Sequence, residues 1–264
     1  MNILILGDIV GKPGRKGAQM VIEHVKEMNS VDLIVANGEN SAGGKGITMA
    51  VLDQLMDMGI NVVTMGNHVW AKKEIYQIFD SPKKYKIIRP ANYPGEAIPG
   101  SGHCIVKVED FYVGVINLSG RVFMECLDNP FSVIDREISC VDDKCDIILV
   151  DFHAEATAEK VAMGWYLDGR VSMVYGTHTH IQTADDRILP GGTGYITDIG
   201  MVGPRDSVLG VKKDIIINRF KTSLPVRFQL ASGDIIANGV LIEINENSGK
   251  TVNIKRINTT FPNE

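Results

Sequence analysis

Residues 2–40 read NILILGDIVGKPGRKGAQMVIEHVKEMNSVDLIVANGEN, and this stretch decides the fold. Residues 2–7 form a short apolar run closed by Gly7 and Asp8, the pattern of a strand buried on both faces whose carboxyl end opens into a turn. The turn GKPGRKG leads into a helix on which Val21, Val25 and Met28 share one face at helical spacing. A second apolar strand over residues 32–36 follows. Strand, helix and strand in this order make a βαβ crossover, whose strands pair in parallel.

The alternation continues outward from that unit, with a helix over 48–58, a strand over 61–65 and a helix over 72–79. The segment RPANYPGEAIPGSG, residues 89–102, is rich in proline and glycine and reads as a loop bordering the site. From residue 103 the pattern becomes strand-rich: HCIVKV and FYVGVINL flank Glu109 and Asp110 as a hairpin that opens a second sheet. Helices near 130–139 and 155–167 flank a strand at 146–152. Further strands are expected near 194–198, 225–230, 234–244 and 251–257, the last two joined by the turn NENSGK. No linker composition or internal repeat interrupts the chain. The expectation is a single α/β domain over 1–264, built from two stacked sheets covered by helices.

With 44% hydrophobic residues among 264, the chain can bury a sizeable core. A formal net charge of -5 gives no electrostatic grip on long nucleic acid, although a small phosphate substrate remains compatible. Cys104, Cys126, Cys140 and Cys145 form no C-x-x-C pair and read as reduced packing residues. The start MNILILGD lacks a basic leader and no apolar stretch is long enough for a membrane span, so a cytoplasmic protein is expected. Apolar residues on surface helices fit either core packing or a self-complementary interface in a homo-oligomer.

Five apolar runs end in residues able to bind metal: LILGD at Asp8, LIVANGEN at Glu39 and Asn40, VVTMGNH at Asn67 and His68, IILVDFH at His153, and MVYGTHTH at His178 and His180. Open α/β sheets bind ligands at the carboxyl ends of their strands, so five such tips can converge. Carboxylate, amide and imidazole without thiolate suit hard or borderline divalent metals such as manganese, iron or zinc. Each residue also has a structural reading. Asp8 precedes a helix and can be its cap; His68 can be a helix-start histidine satisfied by backbone. His178 and His180 alternate, so a regular strand would point them to opposite faces and a turn must redirect them. A glutamate between Gly38 and Asn40 is rarely buried unless paired or bound to metal. Asp151 reads as structural or as support behind a metal ligand rather than as a ligand itself, and His24 and His103 as ordinary surface or core residues. The GGKG stretch lacks P-loop spacing and reads as a flexible turn.

The order GD, GEN, GNH, a lone histidine and GTHTH resembles the calcineurin-like metallophosphoesterases, whose usual motifs are D-x-H, G-D-x-x-D, G-N-H-E, H and G-H-x-H. Val10 stands where the first histidine would be, Glu39 replaces the bridging aspartate, and Val69 replaces the glutamate after Asn67 and His68. Together with RPANYPG, INLSGR, DFHAEATAEK, GTHTHIQTADDRILPGGTGYITDIGMVGP and RFKTSLPVRF, this variant resembles the YmdB family of bacterial 2',3'-cyclic-nucleotide phosphodiesterases along nearly the whole chain. The resemblance implies a four-layer αββα sandwich of two mixed sheets flanked by helices. It implies one metal held by Asp8, Glu39, Asn40 and His180, and another by Glu39, Asn67, His153 and His178, with Glu39 bridging. An amide in place of an imidazole favours iron or manganese over zinc. The implied reaction is hydrolysis of small cyclic phosphodiesters, 2',3'-cAMP or 2',3'-cGMP, to 3'-nucleotides by metal-activated hydroxide, with His68 protonating the leaving oxygen. Two alternatives stand beside it: a binuclear hydrolase of another phosphoester or an amide, and a metal-stabilised module that binds a cyclic nucleotide or a protein.

Overall fold

Alternate residues of the first strand face opposite layers. Ile3 and Ile5 pack into the space between two sheets, while Leu4 and Leu6 pack under helices. This two-sided burial is why the run is continuously apolar rather than alternating. The computed structural model describes residues 1–81, 85–95 and 97–263. In chain order the elements are β1 (Asn2–Leu6), β2 (Asp8–Ile9), α1 (Gly11–Met28), β3 (Leu33–Asn37), α2 (Met49–Asp57), β4 (Val62–Thr64), α3 (Glu74–Phe79) and β5 (Ile87–Ile88). The second half contains β6 (His103–Val108), β7 (Phe111–Ser119), α4 (Pro130–Val141), β8 (Ile147–His153), α5 (Thr157–Leu167) and β9 (Met173–Thr177). It ends with β10 (Arg187–Ile188), β11 (Gly194–Ile196), β12 (Met201–Pro204), α6 (Lys213–Thr222), β13 (Ile235–Asn245) and β14 (Lys250–Phe261).

The first sheet runs β2-β12-β13-β1-β3-β4-β5 with β14 on the far side of β13, and the second runs β10-β11-β9-β8-β7-β6. Strands β1, β3, β4 and β5 are mutually parallel, as are β7, β8, β9 and β11. Antiparallel β13 and β6 make both sheets mixed. Side chains of β1, β3 and β13 meet those of β7, β8 and β9 between the sheets. Helices α1, α2 and α3 cover the outer face of the first sheet, and α4 and α5 that of the second. The result is the expected αββα layering. Among the described residues, no helix is long and apolar enough to cross a membrane.

Several expectations need correction. On α1 the buried face is Ala18, Val21, Ile22 and Val25, and Met28 is 62% exposed, because the helix ends there and its last turn clears the sheet. Residues 225–230 are not a strand; apart from an isolated bridge at Leu230 they pair with no strand. Helix α6, whose only buried residue is Ile216, carries too weak an apolar face to be read from periodicity. Strand β12 was hidden in the glycine-rich GMVGP segment. Cys126 and Cys140 are exposed, leaving a packing role for Cys104 and Cys145 only. The hairpin at Glu109 and Asp110 and the β13–β14 turn form as expected.

Candidate metal centre and active site

The parallel strands of both sheets deliver their carboxyl ends to one place. Asp8 arrives there because the chain leaves β13 after Leu6 and pairs instead with β12. Residue 7 must be glycine for that step, since a Cβ would collide with the carbonyl oxygen of Gly200. The helix-cap reading of Asp8 is wrong: Val10 is the N-cap of α1, and no side chain caps it. His178 and His180 reach the same side because both adopt left-handed backbone, with φ of 97° and 65°. That is the redirecting turn GTHTH required.

Three acceptor-capable atoms converge on the Nε2 of His153: Asn67 Oδ1 at 3.0 Å, His178 Nδ1 at 3.1 Å and Glu39 Oε1 at 3.3 Å. Ligand atoms of Glu39, His153 and His178 all lie within 4.8 Å of one another. On the adjoining side, His180 Nε2 lies 3.2 Å from Asn40 Oδ1 and 3.8 Å from Asp8 Oδ1. The backbone N–H of His178 donates to Asp8 Oδ2 at 3.1 Å. His68 joins through its backbone N–H, which donates to Glu39 Oε2 at 2.9 Å, and its Nδ1, 3.2 Å from Oε1. All eight residues named from sequence therefore meet in one cluster.

The outer hydrogen bonds set the tautomers. His153 Nδ1 lies 2.9 Å from Thr177 Oγ1, whose hydroxyl donates to Asp151 at 2.7 Å, so the imidazole donates outward and Nε2 keeps its lone pair for the centre. His178 Nε2 faces Glu155 at 3.2 Å, and His180 Nδ1 donates to the Leu209 carbonyl at 3.3 Å. Three imidazole lone pairs, two amide oxygens and two carboxylates thus point inward. Only a cation reconciles them. Without metal that cation is a proton: burial opposes it, but Glu39 and Asp8 raise the pKa of His153 to about 9. Burial also opposes ionisation of Glu39, yet His153 and His68 hold it well below the usual carboxylate range. His178 falls to about 3 through burial and the neighbouring His153 charge, which leaves it a neutral ligand. Burial raises Asp8, and its Oδ1 is buried with no hydrogen-bond partner. A buried carboxylate oxygen left unpaired is costly unless a metal takes it. The residues fit a metal centre of hard or borderline character.

Gly66 forms the floor of this cluster. Its backbone needs no left-handed conformation, but a Cβ there would lie inside van der Waals contact of both His153 Nε2 and Glu39 Oε2. Gly66→Ala is therefore expected to displace both ligands and lose bound metal, measured by elemental analysis after dialysis, at a cost of about 1–3 kcal/mol in stability. Normal metal content would overturn this reading.

Sequence reasoning missed a buried ion pair behind the histidine turn. Lys160 Nζ donates to Asp198 Oδ2 at 2.6 Å and to the Thr177 carbonyl at 2.8 Å, and both side chains are 1% exposed. Asp198 Oδ2 also accepts from the N–H and hydroxyl of Thr179, which sits between the two histidines. Two opposite charges 38 positions apart carry no local signal; only the fold joins them. Asp198→Ala would strand a buried ammonium, with an expected loss of about 3–5 kcal/mol read from urea unfolding. Glu155 was also missed, while Asp151 stands behind His153 as a support, accepting from Thr177, Thr64 and Asn37. His103 pairs with Glu137, and His24 packs on Phe261, both away from the centre. The 89–102 loop does flank the site: Tyr93 packs edge-on against Trp70, at a centroid separation of 5.6 Å, two residues after His68.

A family model described as YmdB-like protein matches residues 4–257. The chain is 48% identical to a Bacillus subtilis protein named 2',3'-cyclic-nucleotide 2'-phosphodiesterase, over 97% of this chain and 96% of that one. A crystal structure described as a novel phosphatase from Mycoplasma pneumoniae superposes with a TM-score of 0.92 at 33% identity, covering 98% of this chain and 93% of that one. A hypothetical protein from Thermus thermophilus superposes with a TM-score of 0.91 at 36% identity, over 100% of both chains. Fold and relatives together define the class, a phosphoesterase of calcineurin-like architecture. Within that class, the chain belongs to the YmdB-like family.

Proposed function

We propose that this protein is a metal-dependent phosphodiesterase that opens 2',3'-cyclic nucleotides to 3'-nucleotides. The observation that carries the reading is the inward convergence of Asp8, Glu39, Asn40, Asn67, His153, His178 and His180, on a chain 48% identical to a protein named for that reaction. Asp8, Glu39, Asn40 and His180 would hold one metal, and Glu39, Asn67, His153 and His178 another, with iron or manganese favoured by the oxygen-rich set. The metals would supply Lewis-acid activation of water and of the phosphoryl oxygens.

The chain's own groups do the rest. His68 is the proton donor to the departing 2'-oxygen. Asn40 Nδ2 donates to the Gly44 carbonyl at 3.2 Å, which fixes the amide orientation, and the same nitrogen lies 3.1 Å from His68 Nδ1. Glu39 Oε1 lies 3.2 Å from the same Nδ1 and accepts its proton in the protonated ring, which leaves the second ring proton on Nε2, where it can be given away to the leaving oxygen.

The direct test is incubation of 2',3'-cAMP with protein purified without chelator, with metals assayed in parallel. Conversion to 3'-AMP supports the reading. Bound metal without turnover, even with iron or manganese supplied, would redirect it to another phosphoester.

A further inference from the structure

Beside the centre lies a cavity of about 250 Å³ that metal binding and proton transfer leave unused. Its apolar walls are Val10, Leu209, Val211, Phe228 and Leu230. The imidazole of His180 is shared between the two spaces. Its Nε2 faces Asn40 and Asp8 in the centre, and its Nδ1 donates to the carbonyl of Leu209, a cavity residue. Backbone ties the other wall to the same site: the Gly11 N–H donates to the Asn40 carbonyl at 3.0 Å, and Gly44 accepts from the Asn40 side chain. Cavity and metal cluster are therefore neighbours that share the His180 imidazole.

The lining has the chemistry of a nucleoside site. Phe228 offers a flat face and is held by Arg219, whose guanidinium stacks over the ring 5.1 Å from its centroid. Lys45 and Lys72 also line the cavity, and among the described residues neither ammonium pairs with a carboxylate. In a chain of net charge -5, two lysines in the lining that His180 shares favour a ligand that carries an anionic group. An apolar slot with an aromatic wall and two lysines in its lining matches a flat base carried on a phosphate ester.

We infer that this cavity is the nucleoside subsite, with the base packed against Phe228 and the aliphatic walls while the phosphate lies on the far side of His180. The inference rests on the phosphodiesterase reading for its substrate, and it assigns the job of base recognition to Phe228, braced by Arg219, and the neighbouring Leu209, Val211 and Leu230. These residues would then decide between a nucleotide and a base-free ester, a distinction the metal ligands cannot make.

The test compares 2',3'-cAMP with the 2',3'-cyclic phosphate of methyl riboside, which has the same reacting ring and no base. Wild type should prefer the nucleotide. Phe228→Ala should lower the ratio of kcat/KM values about tenfold, chiefly through KM of the nucleotide, as expected for loss of one base–aromatic contact. Phe228→Trp should restore the ratio. An unchanged ratio in Phe228→Ala, in protein with normal metal content, would overturn the subsite. If wild type hydrolyses neither ester, the phosphodiesterase reading fails, and adenosine binding then decides the cavity. Adenosine that shifts the methyl resonances of Leu209, Val211 and Leu230, and binds more weakly to Phe228→Ala, upholds the assignment. Absence of those shifts overturns it.

Discussion

Glu39→Gln is expected to abolish metal retention and turnover together. Glu39 is 1% exposed, and its carboxylate lies at the meeting point of His68 and His153. A glutamine has the same shape but keeps one carbonyl oxygen, and its NH₂ points a donor at atoms arranged to share a cation. The fall in kcat/KM should exceed the roughly 10–100-fold typical of a residue that only supports a ligand. Elemental analysis alongside 2',3'-cAMP hydrolysis reads both effects. Full metal occupancy with a normal rate would sink the bridging assignment.

His68→Ala is expected to lower turnover by about 10²–10⁴-fold on 2',3'-cAMP while metal remains bound. The substitution leaves intact the bond from residue 68 to Glu39 Oε2, because the backbone N–H makes it. The His68 side chain is 26% exposed, open to substrate in a way that buried His153 is not. A phosphodiester with p-nitrophenolate as leaving group needs little protonation, so its loss should be much smaller. Equal losses on both substrates would assign His68 to binding or positioning instead of proton donation.

Much of this architecture was legible because buried parallel strands demand continuous apolar runs and end in turns that expose polar residues. The runs at β1, β3, β4, β8 and β9 carry that signal, and Asp8, Glu39, Asn40, Asn67, His68, His153, His178 and His180 follow them directly. Segments stabilised by partners distant in sequence were not legible. Helix α6 has a single buried residue, β12 exists because β2 and β13 accept it, and residues 225–230 look strand-like but reach no strand ladder.

The sequence by itself determined which side chains could hold metal and that strand tips would present them, since both follow from local composition and periodicity. The tertiary structure alone decided how those tips orient. Three outward hydrogen bonds, to Thr177, Glu155 and the Leu209 carbonyl, turn the imidazole lone pairs inward. The Lys160–Asp198 pair braces the turn between them, and the cavity beyond His180 is lined on one side by Leu209, Val211, Phe228 and Leu230. The physical reason is that burial and hydrogen bonding between residues far apart in the chain set lone-pair direction, charge and cavity shape, and none of these is a property of a single segment.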